Sequence, residues 1–467
     1  MNKNIKYLMD TVIENDYCIG CGACASVDDS PFEMRLDKNG KFRPVIKYEL
    51  DCRTEPDVNS VCPFSNESKN ETELGKELFK THHPTFNENT GYYLKNFAGY
   101  VKEGKYRDKG SSGGMGSWIA SQLLKLDLVD GIIHVKEKND NSNLLFEYQV
   151  SSTLDELSSG AKSKYYPIEL SKVMKFVKEK KGRYAIIGIP CFIKSVRLLA
   201  ENDKVIKERI KYCIGLVCGH LKSDMFAKSM GWQLGIEPDN LSWIDFRVKL
   251  EDKAANDYGV EVEGTINGEK VKLSAPRKEL YTTNWGQGLF KYNACEFCDD
   301  VLAETADVTV GDAWLPEYAN DSDGTNVITV RNPDILQILE EGISAGKVYL
   351  DELTAERVYK SQAGGFRHRR DGLSYRLHLK DENNEWRPNK RVRASDKIDS
   401  NRKQVYKKRM QLSQESFNAF KIAEENQHFD SFIDYMNPNV EAYNKTINPP
   451  LIKRIVNKIK REIKKVI

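Results

Sequence analysis

The sequence predicts an α/β (α+β) core with a mixed sheet, preceded by a Cys-rich N-terminal unit and followed by a helical C-terminal extension. Between residues 96 and 350, short apolar runs such as VDGIIHV and YAIIGI alternate with amphipathic stretches such as MGSWIASQLLKL. This alternation is typical of β/α units on a mostly parallel sheet. Half of the ten cysteines lie within residues 1–66. Helical stretches such as SFNAFKIAEEN follow a change to basic, polar composition after about residue 361.

The chain of 467 residues is long enough for two or three domains. We expect a Cys-rich unit at 1–66, a linker at 67–95, a central domain at 96–350, a basic helical extension at 351–450 and an amphipathic tail helix at 451–467. The linker is placed where residues 65–91 are polar and show no apolar period.

The net charge of +2 hides an asymmetry, because residues 451–467 hold seven Lys/Arg and one Glu. The rest of the chain is therefore mildly acidic, which argues against nucleic-acid binding by the body. On a helical projection the apolar residues of the tail fall within an arc of about 120°, and its charged residues lie outside it. Such a helix lies on an anionic membrane surface, docks on a partner or packs on its own body.

The chain lacks the features of a membrane-spanning or secreted protein. No run approaches the roughly 20 apolar residues of a membrane span, and the N-terminus has no apolar signal-peptide core. We therefore expect a cytoplasmic protein, with the tail as a candidate for peripheral contact at the inner face of the membrane. Thiols stay reduced there, so the ten cysteines are expected to be metal ligands or redox groups rather than disulfides.

The first cysteine pattern is the run CIGCGAC, which contains Cys18, Cys21 and Cys24. Its glycines let the backbone wrap around one centre, so the run is typical of a ferredoxin-like iron–sulfur site. A compact ferredoxin would have its fourth cysteine at position 28, where this chain has Asp28. Cys62, followed by proline, is the preferred fourth ligand, and Cys52 is the second candidate. A zinc site is the alternative.

The second cysteine pattern is dispersed through the central domain and comprises Cys191, Cys218 and the CxxC pair Cys295 and Cys298. Cys191 and Cys218 follow predicted parallel strands, at the edge where open α/β sheets place ligands. Cys213 has the opposite parity on its strand, so we interpret it as a packing residue. Packing is also an alternative for Cys191 and Cys218, and zinc binding or thioredoxin-like redox chemistry for the CxxC pair.

A serine- and glycine-rich turn, Ser111, Ser112, Gly113 and Gly114, precedes the amphipathic stretch that begins at Met115. Free backbone N–H groups at such a helix start would face an anion such as a pyrophosphate, although an ordinary helix cap explains the same residues. His134 and His220, near predicted strand ends, are candidates for contact with a cofactor or for structural roles. Ser-His-Asp, HExxH and GxGxxG patterns are absent, which disfavours hydrolase, zinc-protease and simple nicotinamide-Rossmann functions.

Taken together and in order, these motifs resemble the beta subunits of coenzyme F420 hydrogenases and dehydrogenases, a family that also includes the plant 7-hydroxymethyl chlorophyll reductase. The resemblance covers roughly residues 15–350. Its marks are CIGCGAC at 18–24, SSGGMGSWIASQLL at 111–124, AKSKYYP at 161–167, IGIPC at 187–191, GLVCGH at 215–220 and CEFC through ADVTVGDAW at 295–314.

The resemblance implies a flavoprotein with FAD and one or two [4Fe-4S] clusters that passes electrons between a hydride donor or acceptor and one-electron carriers. It implies one cluster on Cys18, Cys21, Cys24 and Cys62, and a second on Cys191, Cys218, Cys295 and Cys298. It places the turn at 111–114 at the flavin and implies a flavin or phosphate role for Ser163, Lys164 and Tyr165. Asp312 would orient the surroundings of the second cluster.

The C-terminal extension resembles that of bacterial family members associated with polysaccharide biosynthesis. Its GGFRHRR segment at 364–370 is a candidate for contact with an anionic substrate, or a solvated basic face. The function we expect is therefore an iron–sulfur flavoprotein oxidoreductase, with ferredoxin or a reduced coenzyme as redox partner. The alternative is a non-catalytic assembly protein, stabilised by zinc or a cluster, in a polysaccharide-synthesis complex.

Overall fold

A computed structural model describes residues 3–48, 55–138, 144–251 and 253–448. Its strands are β1 (Phe32–Leu36), β2 (Phe42–Ile46), β3 (Thr85–Asn87), β4 (Gly91–Tyr93), β5 (Lys95–Val101), β6 (Gly131–Glu137), β7 (Phe146–Ser151), β8 (Tyr184–Gly188), β9 (Ile210–Leu216), β10 (Leu241–Val248), β11 (Gly259–Ile266), β12 (Glu269–Pro276), β13 (Val308–Asp312), β14 (Asn326–Val330) and β15 (Val348–Glu352).

The α-helices of the described residues are α1 (Lys3–Leu8), α2 (Glu71–Phe79), α3 (Tyr106–Lys109), α4 (Met115–Lys125), α5 (Leu154–Ser159), α6 (Ser171–Glu179), α7 (Pro190–Asn202), α8 (Lys204–Arg209), α9 (Asp224–Gln233), α10 (Pro316–Ala319), α11 (Pro333–Ser344), α12 (Ala355–Ser361), α13 (Ala363–Arg367), α14 (Leu373–Glu382), α15 (Ser400–Asn426) and α16 (Asp430–Ile447). None of them is long and apolar enough to cross a membrane. The predicted tail helix at 451–467 and Cys52 lie outside the described residues.

The core of the fold is an eight-stranded mixed sheet with the order β15-β5-β14-β13-β9-β8-β6-β7. The four strands β6, β8, β9 and β13 pair in parallel, and the four remaining pairings are antiparallel. The mixed sheet is confirmed, but the expectation of a mostly parallel one is wrong. The antiparallel half is formed by β5, β14 and β15, which read as short apolar runs like the parallel strands because helices cover both faces.

The parallel strands bring their carboxyl ends to one edge, as predicted from the runs YAIIGI and YCIGLVC. Strand β8 ends at Gly188, three residues before Cys191, and β9 ends at Leu216, two residues before Cys218. Strand β13 ends at Asp312 beside them. This edge therefore collects residues from three separate parts of the chain.

The N-terminal segment packs directly against this sheet. Ile5, Leu8 and Tyr17 share one hydrophobic core with Ile186 of β8 and Phe192 of α7. The CIGCGAC loop is followed by the hairpin β1–β2. The ferredoxin-like character expected for residues 1–66 stays a prediction. This packing holds the cysteine-bearing loop against the edge of the α/β core.

The stretch 67–95, predicted as a linker, contains helix α2 and the hairpin β3–β4. Helix α2 begins with a capping box, in which the Asn70 side chain accepts from the backbone of the first turn and the Glu73 side chain accepts from the Asn70 backbone. Leu74 and Phe79 are buried. Two buried apolar residues in a nine-residue helix are too few to produce a visible period, which is why the sequence misled here.

Beyond the main sheet, β10, β11 and β12 form a small antiparallel sheet. The antiparallel pair α15 and α16 packs on it through an aromatic cluster that includes Phe290, Phe420 and Phe432. The chain after β15 is helical, as predicted, and its first helices return to the cysteine-bearing edge of the main sheet.

Candidate functional site

The structure brings the first predicted cysteine set together. Each pair among Cys18, Cys21, Cys24 and Cys62 lies close enough for one thiol to influence the pKa of another. Burial is the main cause of the raised pKa values in this set, and it raises the pKa of Cys21 to about 12. Gly20 and Gly22 have positive φ angles of 68° and 79°, which lets the loop turn tightly around the thiols. The choice of Cys62 over Cys52 stays a prediction, because Cys52 lies outside the described residues.

The second set also converges. In each pair among Cys191, Cys218, Cys295 and Cys298, the two thiols lie close enough for one to influence the pKa of the other. Burial raises the pKa of Cys295 to about 11. The backbone N–H of Leu221 donates to the Cys295 Sγ at 3.2 Å. Cys213 is fully buried in the core, and its pKa responds to Arg197 and Asp307 rather than to another thiol. Its predicted packing role agrees with this position.

The spacing of these thiols bears on which metal group they suit. In the described part of the chain, no three His, Cys, Asp or Glu side chains converge closely enough to hold a single metal ion. A zinc ion would draw four sulfurs to within about 4 Å of each other, since each Zn–S bond is about 2.3 Å. An iron–sulfur cubane holds its thiolates on a wider tetrahedron. Both the iron–sulfur clusters and the zinc alternative stay predictions for these two sets.

Helix α7 connects the two cysteine sets. Cys191 lies in its first turn, and one turn later Ser195 is a hydrogen-bond partner of Cys21. Lys194 lies near Cys62, where its charge opposes the larger effect of burial on the thiol pKa. Tyr148 on β7 is within electrostatic range of both Cys21 and Cys191, and its hydroxyl donates to the Ile187 carbonyl at 3.3 Å. The two sets are therefore neighbours at one hydrophobic core.

The two segments expected at a flavin are also adjacent. The backbone N–H of Ser163 donates to Ser111 Oγ at 2.8 Å. Lys164 Nζ lies 4.8 Å from the centroid of the Phe146 ring, and burial lowers the pKa of this lysine. The predicted residues Ser111 and Ser163 therefore meet at one place, although they lie 52 positions apart in the chain.

The glycines of this turn have packing reasons as well. A Cβ on Gly113 would lie 2.8 Å from both Asn326 Oδ1 and the Gly99 carbonyl oxygen. Gly114 has φ +81° and packs against the backbone of Tyr106. The Met115 N–H, predicted to be free for an anion, instead donates to Asn326 Oδ1 at 3.0 Å. An anion at this helix start would therefore rely on other donors of the turn.

A chain of ring contacts runs from the Ser163 segment to the second cysteine set. The ring centroids of Tyr165 and Trp285 are 4.9 Å apart, and those of Trp285 and His220 are 4.5 Å apart. His220 follows Cys218 by two residues, and its Nε2 has no hydrogen-bond partner in the described structure. Burial and nearby cations lower the pKa of His220, so the ring is neutral at pH 7.

Two further predicted residues have structural partners. His134 lies within β6 rather than at a strand end, and its Nε2 is 2.8 Å from Ser151 Oγ. Burial lowers its pKa to about 4. Asp312 Oδ2 accepts from Arg247 Nη1 at 2.8 Å, which ties β13 to the small sheet. Arg247 in turn is a hydrogen-bond partner of Tyr165. Asp312 therefore supports the Tyr165 side of the site, and the structure gives it no direct contact with a cysteine of the described chain.

Sequence reasoning missed Trp285, Arg247 and Arg376 in this region, and it placed the GGFRHRR segment at an anionic substrate or on a solvated face rather than beside the second cysteine set. Arg369 is only 2% exposed, so this arginine is not part of a solvated basic face, whereas Arg367 of the same segment is exposed. Arg370 donates to the Asp299 carbonyl, and Arg376 Nε to the Glu296 carbonyl at 2.7 Å. Trp285, Arg247 and Arg376 belong to no short motif, and the place of Arg369 and Arg370 is set by the return of the helical extension to the sheet edge.

Several curated proteins are similar to this chain over much of its length. The curated relatives include the coenzyme F420-dependent sulfite reductase of Methanocaldococcus jannaschii, 22% identical over 76% of this chain and 52% of that protein. They also include a component of the F(420)H(2) dehydrogenase of Methanosarcina mazei, 22% identical over 68% of this chain and 80% of that protein. The chain thus spans about half the length of the sulfite reductase.

A solved structure, that of the F420-reducing [NiFe] hydrogenase complex from Methanosarcina barkeri, matches with a TM-score of 0.49 and 14% identity, covering 66% of this chain and 99% of the other. Two family models match residues 96–175 and 181–356, described as the N-terminal and C-terminal parts of the coenzyme F420 hydrogenase/dehydrogenase beta subunit, and together they cover more than half of the chain. The chain therefore belongs to the family of coenzyme F420 hydrogenase/dehydrogenase beta subunits.

Proposed function

We propose that this protein is an iron–sulfur flavoprotein oxidoreductase that passes electrons between a hydride donor or acceptor and one-electron carriers. The observation that carries the proposal is the convergence of eight cysteines, from five separate segments, into two neighbouring sets of four. Family membership supports a redox role, since the curated relatives described above are F420-dependent redox enzymes or components of them.

The motifs of the sequence and the convergence of the cysteines support the following assignment of residues to groups. Cys18, Cys21, Cys24 and Cys62 would bind one [4Fe-4S] cluster, and Cys191, Cys218, Cys295 and Cys298 a second. Ser111, Ser112, Gly113, Gly114, Ser163, Lys164 and Tyr165 would contact FAD. When bound, a flavin supplies hydride transfer and an iron–sulfur cluster supplies one-electron transfer.

The chain itself contributes position, charge and exclusion of water. Its buried thiols have raised pKa values, and because clusters bind thiolates, cluster binding would release their protons. The rings of Tyr165, Trp285 and His220 are packed in a row from the Ser163 segment towards the second set, with His220 neutral at pH 7.

Family membership supports a choice of redox partners. A reduced coenzyme of the F420 type is the proposed hydride donor, and a ferredoxin or another protein of the same complex the one-electron carrier. The relative that is a component of a dehydrogenase supports a protein partner. Cytoplasmic location, the link to polysaccharide synthesis and membrane contact by residues 451–467 stay predictions.

The test is anaerobic purification of the full chain with an ultraviolet–visible spectrum and analysis of iron, sulfide, zinc and flavin. We expect about eight irons and one FAD per chain, since two cubanes hold four irons each. Bleaching of the flavin by candidate hydride donors would then identify the donor. Zinc without flavin or iron would contradict the proposal and favour a non-catalytic assembly protein.

A further inference from the structure

Arg369 lies in an unusual electrostatic position. It belongs to the helical turn His368–Gly372 of the C-terminal extension, beyond residue 356 where the family match ends. Its side chain is 2% exposed, and within the described residues no carboxylate forms an ion pair with it. Its Nε has no hydrogen-bond partner there either. A buried guanidinium without a counter-charge is strongly unfavourable, so the position requires an anion.

The groups around Arg369 are the second set of thiols. Its Nη2 donates to the Gly219 carbonyl at 2.8 Å, directly after Cys218, and the guanidinium is a hydrogen-bond partner of Cys298. Cys218 and Cys295 are also within its electrostatic range. As neutral thiols these cysteines offer no counter-charge, whereas thiolates do. The guanidinium is therefore placed for a charged state of the site.

Neighbouring arginines fix this arrangement from the same extension. Arg370 donates a hydrogen bond to the carbonyl of Asp299, and Arg376 donates one to the carbonyl of Glu296. Both arginines therefore bind the backbone in and directly after the CEFC segment. Arg370 and Arg376 have carboxylates nearby, Glu304 and Glu296 respectively, at 4.0 and 3.1 Å. Arg369 differs from them, because its only anionic candidates in the described chain are sulfurs. It is the member of this group whose charge is available to the cysteine site.

We propose that Arg369 is the counter-charge of the second cysteine set, where it stabilises the thiolates and raises the reduction potential of the cluster they bind. The inference rests on the proposed function, because it assumes that these cysteines hold a [4Fe-4S] cluster. Reduction adds one negative charge to such a cluster, and a fixed cation at hydrogen-bond distance from a ligand sulfur favours the reduced form. Arg369 is thus a positioning residue that acts through the ligands.

The test uses the full chain, with its clusters reconstituted anaerobically, as wild type and as the variants Arg369→Gln, Arg369→Lys and Arg367→Gln. Iron per chain and a redox titration followed by electron paramagnetic resonance are measured for each. We expect Arg369→Gln to make the second cluster about tenfold harder to reduce, which is about 59 mV for one electron. Arg369→Lys keeps a positive charge, so the reduction potential of its second cluster should lie close to that of the wild type. Arg367→Gln, which removes an exposed arginine of the same segment, should change neither iron content nor potential.

Each other outcome also decides the question. If Arg369→Gln loses the second cluster while Arg369→Lys keeps it, the charge is needed to hold the thiolates and the proposal stands. If both variants lose it while the first cluster's signal persists, the shape of arginine matters rather than its charge, and the proposal is overturned. An unchanged potential in Arg369→Gln with full iron content also overturns it. A wild type without a second cluster would instead defeat the proposed function, which the iron analysis reveals before any variant is compared.

Discussion

The thiols of Cys21 and Cys191, which belong to different cysteine sets, lie close enough together for Cys21 to contribute to the raised pKa of Cys191. Helix α7 explains the proximity, because its first turn carries Cys191 and its second turn contacts Cys21 through Ser195. The N-terminal unit and the edge of the main sheet therefore form one continuous site.

This proximity predicts a magnetic interaction. In fully reduced protein the unpaired spins of two adjacent clusters should couple, so the electron paramagnetic resonance spectrum of the wild type should be broader than the sum of its parts. The parts are obtained from Cys18→Ser, which should lack the first cluster, and Cys298→Ser, which should lack the second. A wild-type spectrum equal to that sum would contradict two clusters bound at these neighbouring cysteine sets.

The ligand assignment predicts different iron losses for two buried cysteines. Cys298→Ser should lower bound iron by about four atoms per chain, because one cubane loses a ligand. Cys213→Ser should leave iron unchanged, because Cys213 is fully buried in the core away from both sets. Iron and sulfide analysis of the two purified variants measures the difference. Equal losses from the two substitutions would show that the assignment is wrong.

Much of this site was predictable because its signals are local. The CIGCGAC run, the CEFC pair and the apolar runs before Cys191 and Cys218 each report on their own few residues. Cys213 and Cys218 were separated by their parity on one predicted strand, whereas in the structure Cys213 lies within β9 and Cys218 follows its end at Leu216. The convergence of these segments follows from the rule that parallel strands end at one edge of a sheet.

The parts that escaped prediction depend on contacts between distant segments. Arg369 reads as one more basic residue in GGFRHRR, and only its return to Gly219 gives it a role. The Asn326 side chain accepts a hydrogen bond from the Met115 N–H, although the two residues lie 211 positions apart. No local sequence pattern indicates such a contact. The helix at Glu71–Phe79 has too few buried apolar residues to show a period, and its capping box carries the signal instead.

The close packing of the serine turn predicts that a substitution there lowers the flavin content of the protein but not its iron content. In Gly113→Ala the added Cβ would lie 2.8 Å from the Gly99 carbonyl and from Asn326 Oδ1, so the turn must shift against two strands. We expect flavin per chain to fall several-fold, iron to stay unchanged, and the free energy of unfolding to fall by about 1–3 kcal/mol.

Gly116→Ala is the matched control for this substitution, since a Cβ at Gly116 would meet no atom within 4 Å. Alanine inside a helix is favoured over glycine, so Gly116→Ala should keep its flavin and gain about 0.5–1 kcal/mol. Flavin released by heat and measured by absorbance provides the comparison. Equal flavin content in the two variants would show that the flavin does not bind at this turn.

The burial of His134 predicts that the free energy of unfolding depends on pH. Burial lowers its pKa to about 4 in the folded chain, whereas an unfolded histidine titrates near 6.5. Between these values the unfolded state binds more protons, so the free energy of unfolding should fall as the pH drops from about 6.5 to 4. The full effect is on the order of 3 kcal/mol. Above pH 6.5 the contribution of His134 is fully present.

The variant His134→Gln isolates this contribution, because glutamine does not titrate and can still bond to Ser151 Oγ. His220 and His368 have lowered pKa values too, and they give both proteins a shared slope of the same sign. Urea unfolding at pH 7.5 and 5.0 should therefore show a smaller loss for the variant than for the wild type. If the two proteins lose the same stability, His134 is already protonated in the folded chain at pH 5, and its burial does not control its charge.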